Sequence, residues 1–312
     1  MNEVKIWLIL IIILSLCFSC SKKQNDQESL RLVYPEKVNY EAFIIAKELN
    51  FYEEVGLKVK ISPVIGGINA AEAMMAGAAD SAAMGDAPAV ILVSKNAPVK
   101  IVVRYGEGTG IHRLVSRKEI RQPAELKGKR IGLQSGSSTY GGFLLWADRN
   151  GLDLNSMNII PMDPLNMPEA MRTNQLDAIA GSEPWPSNVE KLCGENVHEL
   201  ANFRNLGNTF PHVLIMSDRF LSKQPDAALK LIRAISLATD YLNENPEEAA
   251  KITSKYTGLT IDNQQKCTSL VNWKTGWDER DLRSLEITAR YLKQFDKIKE
   301  IPEFGDFIKT DF

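Results

Sequence analysis

Residues 57–104 read LKVKISPVIGGINAAEAMMAGAADSAAMGDAPAVILVSKNAPVKIVVR and contain the same pattern twice. In each copy, a turn that contains glycine is followed by a helix with apolar residues at helical spacing. The predicted elements are a strand over 57–61, a turn at Gly66-Gly67, a helix over 69–78, a turn at Gly85-Asp86, a helix over 88–95 and a strand over 99–104. Strands that alternate with short helices are typical of a parallel sheet covered by helices. The stretch therefore predicts an α/β fold.

The same alternation continues on both sides of this stretch. Upstream, it predicts a strand over 30–34 and a helix over 40–51. Downstream, a second α/β run is predicted after Pro123, with strands over 130–133, 158–161 and 178–180, a Ser/Gly-rich turn at 135–138, and helices from that turn to about 150 and over 168–174. The C-terminal part is predicted to contain a strand over 213–216 and helices over 225–243, 247–256 and 281–295. The chain of 312 residues is long enough for two medium-sized domains.

The N-terminus predicts export. Lys5 precedes an apolar run over residues 6–16, which is shorter than the ~20 residues that a membrane-spanning helix needs. The sequence LCFSC at 16–20 resembles a relaxed bacterial lipobox, so we expect a signal peptide over 1–19 and an acylated Cys20. Polar residues 20–29 then predict a flexible tether. An uncleaved N-terminal anchor is the alternative.

Composition points to a small partner. Lys and Arg number 37 against 39 Asp and Glu, and no block of like charge stands out, so neither nucleic acid nor a polybasic membrane contact is indicated. Cys193 and Cys267 are too few for a disulfide framework, and we expect separate buried thiols. His112 and His212 have no third ligand at recognisable spacing, so no metal is predicted. No cofactor motif is visible, and we expect a monomer.

Several motifs occur in an order that is specific over most of the chain. They are AKELNFYEEVGL at 46–57, GG at 66–67, GDAP at 85–88, PAELKGKRIG at 123–132, SGSS at 135–138 and SEPW at 182–185. In the residues and the order of these motifs, the chain resembles the periplasmic solute-binding proteins of ABC importers. The resemblance is to the branch that includes binders of nitrate, alkanesulfonates, taurine and thiamine precursors.

The resemblance implies a two-lobed periplasmic-binding-protein fold of type 2, with mixed sheets flanked by helices and two crossings at a hinge. We place the crossings near 110–115 and 208–213, so that lobe one comprises 30–112 with 213–312 and lobe two comprises 113–212. A solute held between the lobes favours their closure. The implied partners are the solute and the permease subunits, and the implied location is extracytoplasmic, with membrane contact through the lipid anchor only.

Three loops are candidate ligand contacts, because ligands of open α/β sheets bind beyond the carboxyl ends of strands, where helix N–H groups are unpaired. The candidates on these loops are Gly66, Gly67, Asn69, Gly85, Asp86, Ser137, Ser138 and Thr139. Helix starts such as that at 135–139 favour an anion or a polarised oxygen. The alternative for Asp86, Ser137 and Ser138 is a capping role that stabilises the helix by about 1 kcal/mol.

Further candidates lie outside these loops. Glu183 is expected at the end of a strand, where its carboxylate would attract an amine, and Trp185 would form one wall of the pocket. Arg104 is a candidate anion clamp, and Tyr40 and Tyr140 are candidate aromatic contacts. The alternative for Glu183 is a surface acid, and Arg104 and Tyr140 could equally be peripheral.

These candidates predict a ligand with an acidic or carbonyl end and an amine or ring-nitrogen end. An aminosulfonate or a thiamine-precursor-like molecule ranks first, because a simple alkanesulfonate or nitrate leaves Glu183 without a partner. No pair of nucleophile and base is visible, so we expect a binding protein rather than an enzyme. The alternatives are an enzyme of this fold in thiamine or menaquinone synthesis and a lipoprotein that presents the solute to a sensor.

Overall fold

Two β-sheets organise residues 29–311, which are the residues that this computed structural model describes. In chain order the strands are β1 Leu30–Pro35, β2 Val59–Val64, β3 Ser81–Gly85, β4 Val99–Glu107, β5 His112–Arg117, β6 Arg130–Leu133, β7 Asn158–Pro161, β8 Ala178–Ser182, β9 Val197–Asn202, β10 Pro211–Ser217 and β11 Asn272–Gly276. The expected signal peptide, Cys20 and all but the last residue of the expected tether lie outside the described residues.

The helices cover the faces of both sheets. They are α1 Glu41–Glu48, α2 Phe51–Glu54, α3 Gly67–Met75, α4 Asp86–Val93, α5 Ser138–Arg149, α6 Met167–Arg172, α7 Trp185–Cys193, α8 Asp218–Lys223, α9 Pro225–Glu244, α10 Pro246–Thr257, α11 Ile261–Thr268 and α12 Glu279–Gln294. Short 3-10 turns occur at Val38–Tyr40, Pro123–Leu126, Leu154–Ser156, Pro164–Asn166, Gly194–Asn196 and Phe304–Asp306. Pro246 occupies the first position of α10, where its missing N–H costs nothing, and it separates α10 from α9.

The six-stranded sheet has the order β11-β4-β10-β3-β1-β2, and the five-stranded sheet has the order β7-β6-β8-β5-β9. We call the part built on the six-stranded sheet lobe one and the part built on the five-stranded sheet lobe two. In lobe one, β1 pairs in parallel with β2 and β3, whereas β10 is antiparallel to β3 and β4. In lobe two, β6 is parallel to β7 and β8, whereas β5 is antiparallel to β8 and β9. The predicted α/β class with mixed sheets is confirmed.

The chain passes between the sheets twice, between Glu107 and His112 and again between Asn202 and Pro211. The first predicted crossing, near 110–115, overlaps β5, which sequence reasoning missed together with β9. Both strands pair antiparallel inside lobe two. The alternation of strands and helices predicts parallel strands, so it gives no signal for β5 and β9.

Apolar side chains form cores on both faces of the sheet in lobe one and further cores in lobe two. Cys193 and Cys267 are buried free thiols, as expected. Within residues 29–311, no helix combines the length and the apolar character needed to cross a membrane. In the same residues, no three His, Cys, Asp or Glu side chains are grouped so that they could hold a metal ion.

Candidate functional site

The start of α5 forms the lobe-two side of a cleft. Its N-cap is Ser137, whose hydroxyl oxygen accepts a hydrogen bond from the Tyr140 backbone N–H at 3.1 Å and donates one to the Gln134 carbonyl at 2.7 Å. The next residues, Ser138 and Thr139, belong to the first helical turn, whose N–H groups have no acceptor within the helix. The predicted helix start is therefore present, with Ser137 in the capping role.

The connection from β1 to α1 forms much of the lobe-one side. It brings Lys37, Asn39 and Tyr40 to the cleft because β1 runs parallel to β2 and β3, so its carboxyl end lies at the same edge of the sheet. Gly67 and Pro88, near the starts of α3 and α4, complete this side.

A cavity lies between the lobes. The cavity has a volume of about 30 Å³, close to the share of one water molecule, so a larger solute requires the lobes to move apart. Its lining residues are Lys37, Asn39, Tyr40, Gly67, Pro88, His112, Gln134, Ser137, Ser138, Thr139, Pro164, Met167, Ala180, Gly181, Ser182 and Trp185. Among these described residues there is one cationic side chain, Lys37, and no carboxylate, and the prolines, Met167 and Trp185 supply apolar surface.

Lys37 supplies the cationic group. The residue is only 8% exposed, and its Nζ lies 3.4 Å from Ser182 Oγ of lobe two and 6.0 Å from the centre of the Tyr40 ring. Within residues 29–311, no Asp or Glu oxygen lies within ion-pair distance of Nζ. Burial lowers the pKa of the Lys37 amine to about 8, and the negative charge of Asp163 opposes this change.

His112 is the first residue of β5 and lines the cavity, and His212 is the second residue of β10. His112 Nδ1 lies 2.7 Å from Thr139 Oγ1, and the ring packs against Phe210. Burial lowers the pKa of His112 well below its usual value and that of His212 to about 3, so both rings are neutral at pH 7.

Three buried polar atoms of the cavity lining have no hydrogen-bond partner among the described residues. They are Asn39 Oδ1, His112 Nε2 and Trp185 Nε1. Buried polar atoms are usually hydrogen-bonded, because leaving one unpaired costs about 1–3 kcal/mol. Two nitrogens and one oxygen are therefore available to a solute in this cavity, in addition to Lys37.

Lobe one approaches lobe two most closely at two glycines, Gly66 and Gly85. A Cβ atom at Gly66 would lie 3.0 Å from Gln134 Oε1, and a Cβ atom at Gly85 would overlap the Ser138 hydroxyl. Gly66 and Gly85 belong to lobe one, and Gln134 and Ser138 to lobe two. Two of the predicted glycine turns thus permit close approach of the lobes.

Of the predicted site residues, the cavity lining includes Tyr40, Gly67, Ser137, Ser138, Thr139 and Trp185, and Gly66 and Gly85 adjoin it. Asn69 and Tyr140 do not line it. The Asn69 amide donates to Glu72 Oε2 at 3.3 Å, and Lys297 Nζ lies 5.5 Å from the centre of the Tyr140 ring, on the outer side of α5.

Asp86 is buried behind the cleft, outside the cavity lining. Its Oδ2 accepts hydrogen bonds from Asn208 Nδ2 at 2.8 Å and Thr288 Oγ1 at 2.6 Å. Burial raises the pKa of this carboxyl, and hydrogen bonds from Ser138, Thr288 and Asn208 oppose the change. Asp86 therefore ties the second crossing and α12 to the start of α4.

Arg104 and Glu183 also lie outside the cavity lining and have partners within the protein. Arg104 Nε lies 3.0 Å from Asp281 Oδ2, so its charge is neutralised inside lobe one. Glu183 is 1% exposed and lies 2.7 Å from the guanidinium of Arg113, on the far side of β8 from the cavity. A ligand amine was expected to pair with the Glu183 carboxylate, but Arg113 already pairs with that carboxylate inside lobe two.

Sequence reasoning missed Lys37, Asn39, Gln134 and Ser182 as lining residues. A signal for Lys37 existed, because the β1–α1 connection follows a strand end just as the three predicted loops do. Nothing in the local sequence separates Lys37 from an ordinary exposed lysine, since lobe two is what buries it.

Two mixed sheets, two crossings and a cavity between the lobes define the type 2 periplasmic-binding-protein fold. The alkanesulfonate-binding protein SsuA of Xanthomonas axonopodis pv. citri, solved with bound MOPS, has this fold. It matches with a TM-score of 0.82 and 21% identity over 90% of this chain and 98% of its own. The two-lobed fold expected from the sequence is thereby confirmed.

The chain belongs to the NMT1/THI5 like family, whose model matches residues 37–249. A candidate binding protein of Brucella abortus is 27% identical over 232 residues, which are 74% of this chain and 71% of that protein. A candidate periplasmic binding protein of an ABC transporter from Brachyspira hyodysenteriae is 24% identical over 265 residues, 78% of this chain and 75% of that protein. The expected family is confirmed.

Proposed function

We propose that this protein is the extracytoplasmic solute-binding component of an ABC importer and that its solute is a small organic sulfonate. The observation that carries the proposal is the composition of the cavity: a buried lysine and a helix start face it, and no described carboxylate does. The family and the names of the relatives support the transport role.

The charges favour an anion. The start of α5 contributes about 0.3–1 kcal/mol of preference for negative charge. A hydrogen bond from the Lys37 ammonium to a charged oxygen adds about 1.5–3 kcal/mol. The three oxygens of a sulfonate would accept hydrogen bonds from Lys37, from Trp185 Nε1 and from N–H groups of α5, and a short alkyl chain would face the apolar surface of Pro164 and Met167. Nitrate would leave this apolar surface uncovered.

An aminosulfonate such as taurine is the second candidate, because the unpaired Asn39 Oδ1 can accept a hydrogen bond from an amine. From the sequence alone, an unpaired Glu183 favours an amine-bearing ligand such as taurine or a thiamine precursor over an alkanesulfonate. Because Glu183 is paired with Arg113, we now rank the alkanesulfonate first. We also propose that the protein binds its solute without converting it, which the names of its relatives as binding proteins support.

Isothermal titration calorimetry tests the solute class with ethanesulfonate, taurine, nitrate and the neutral methyl ethyl sulfone. Ethanesulfonate should bind most tightly and the sulfone most weakly. Replacing Lys37 with Met should weaken ethanesulfonate binding about 10- to 100-fold, which corresponds to ~1.4–2.8 kcal/mol. The control is Lys60→Met, which removes an exposed lysine of β2. Equal affinity for ethanesulfonate and the sulfone would refute an anion site.

We also propose that Cys20 is acylated and that the protein is a monomer that delivers its solute to permease subunits. The short apolar run before Cys20 supports the acylation. Metabolic labelling with a fatty-acid analogue should tag the wild type and not Cys20→Ala. Equal labelling of both would refute the anchor.

A further inference from the structure

We infer that the solute carries a hydroxyl group in addition to its sulfonate, and that Asn39 and His112 make the cavity selective for such hydroxyalkanesulfonates. The inference rests on the proposed function, because the sulfonate end occupies the same cavity. It adds the chemical group at the other end of the solute and the two side chains that recognise it.

Two buried polar atoms of the cavity lining remain unpaired once the sulfonate has been placed. The sulfonate oxygens accept hydrogen bonds from Lys37, from Trp185 Nε1 and from backbone N–H groups. Asn39 is 5% exposed and His112 is 2% exposed, and neither Asn39 Oδ1 nor His112 Nε2 has a hydrogen-bond partner in the described part of the chain. A sulfonate oxygen has no hydrogen to donate, so it cannot satisfy Asn39 Oδ1. A second polar group on the solute is therefore needed.

Neighbouring groups hold the two recognition residues at the cavity from opposite sides. Asn39 belongs to lobe one, where its backbone carbonyl accepts a hydrogen bond from the Tyr105 hydroxyl at 3.2 Å. His112 begins β5 of lobe two, and its Nδ1 lies 2.7 Å from Thr139 Oγ1, which leaves Nε2 on the other edge of the ring. Both residues line the same cavity, so a group of the solute between the lobes faces both of them.

A hydroxyl group matches both atoms. Asn39 Oδ1 can only accept, and the hydroxyl hydrogen can be donated to it. Burial lowers the pKa of His112 well below its usual value, so the ring is neutral and has one N–H group and one bare nitrogen. When the Thr139 hydroxyl donates to Nδ1, the ring hydrogen is on Nε2, and the oxygen of the solute hydroxyl accepts it.

An amine or an alkyl group matches this pair less well. An ammonium group can donate to Asn39 Oδ1 but cannot accept from His112 Nε2–H, and it places a second positive charge beside Lys37. The described lining residues include no carboxylate to neutralise that charge, and Asp163, whose negative charge acts on Lys37, is not one of them. A methyl group leaves both atoms unpaired. The hydroxyl pairs both atoms without adding charge.

Isothermal titration calorimetry at pH 7 tests the inference with 2-hydroxyethanesulfonate, ethanesulfonate and taurine, which differ at one end only. The wild type should bind 2-hydroxyethanesulfonate about 5- to 100-fold more tightly than ethanesulfonate, because leaving buried polar atoms unpaired is costly. It should also bind it more tightly than taurine. In Asn39→Leu, the preference over ethanesulfonate should fall below about twofold. The control Gln224→Leu removes another buried amide oxygen without a partner, outside the cavity lining, and should keep the wild-type preference.

Equal affinity of the wild type for the two sulfonates, or an undiminished preference in Asn39→Leu, would overturn the inference. If Asn39→Leu does not fold, His112→Phe replaces it, because phenylalanine keeps an aromatic ring and removes Nε2, and an undiminished preference there has the same consequence. Propanoate and 3-hydroxypropanoate, titrated in parallel, separate the inference from the proposed function. A hydroxyl preference in this carboxylate pair without any binding of the sulfonates would support hydroxyl recognition and refute the sulfonate. No preference in either pair would overturn the inference.

Discussion

Glu183 and Glu41 are both buried, but different groups stabilise them. Glu183 Oε1 lies 2.7 Å from Arg113, which also pairs with Glu190 at 2.8 Å and Glu199 at 3.0 Å. Glu41 has no described cation near it and accepts hydrogen bonds from Gln264 and Thr268. The first carboxylate is part of an ion-pair cluster, and the second is held by neutral donors.

Replacing Glu183 with Gln should lower the free energy of unfolding by about 1–3 kcal/mol, because Arg113 loses its most buried partner and keeps two others. The affinity for ethanesulfonate should change by less than about twofold, which is ~0.4 kcal/mol. Urea denaturation and calorimetry measure the two quantities, and Glu190→Gln is the more exposed control, expected to cost less than ~1 kcal/mol. A loss of affinity without a loss of stability would make Glu183 a ligand residue.

Glu41 should make stability depend on pH. Burial raises the pKa of this carboxyl from 4.5 to about 8, and hydrogen bonds from Thr268, Thr253 and Gln264 oppose the change. The folded state therefore binds a proton that the unfolded state releases above pH 4.5. This contribution to stability is complete below pH 4.5 and falls as the pH rises to about 8, by at most ~1.4 kcal/mol per pH unit.

Replacing Glu41 with Gln removes this proton linkage and keeps a neutral side chain of the same shape. The difference in unfolding free energy between the wild type and Glu41→Gln should therefore move in favour of the variant as the pH rises from 5 to 8. Urea denaturation at both values measures it. Parallel pH profiles would show that the Glu41 carboxyl titrates normally.

At the scale of elements, the turn between β3 and α4 meets the start of α5 across the cleft. The Gly85 backbone has φ −82°, which alanine adopts without strain, so an added Cβ matters only through its overlap with Ser138. Gly85→Ala should thus hinder closure and weaken ethanesulfonate binding about tenfold, or ~1.4 kcal/mol.

A double-mutant cycle with Ser138→Ala isolates this contact, because removing the hydroxyl removes the overlap. In the Ser138→Ala background, Gly85→Ala should cost much less affinity than in the wild type. An equal cost in both backgrounds would place the effect of Gly85→Ala elsewhere.

The elements also show what the sequence could predict. The two helices of 57–104 and the strands at its two ends could be predicted, because apolar periodicity and the glycine turns at 66–67 and 85–86 are local features of the sequence. Strand β5 was not, because its pairing partner β8 lies far along the chain: His112 pairs with Ser182. For the same reason the Glu183–Arg113 pair was missed, since 70 residues separate its members.

In the candidate site too, local features could be predicted from the sequence and contacts between distant segments could not. The loops at Gly67 and Ser137–Thr139 could be placed at the cleft because the carboxyl ends of parallel strands share one edge of a sheet. The burial of Lys37 could not be predicted, since it depends on the distance between two lobes that no local pattern specifies.

At the scale of the whole molecule, α12 packs against both lobes, although the chain does not cross between the sheets there. Leu285, Ala289 and Leu292 are buried in lobe one, while Ile287 and Tyr291 pack against the core of lobe two. Asp86 joins α12 to α4 through Thr288. We therefore expect the lobes to open by rotation along α12 rather than by complete separation.

The central claim is that a small organic anion is held between the lobes by Lys37. A crystal structure with 3-bromopropane-1-sulfonate tests it most directly, because anomalous scattering from bromine locates the ligand independently of its shape. We predict a bromine peak in the cavity beside Met167 or Trp185, with a sulfonate oxygen within hydrogen-bond distance of Lys37 Nζ. A bromine peak outside the cavity, or a sulfonate in the cavity without a contact to Lys37, would contradict the account.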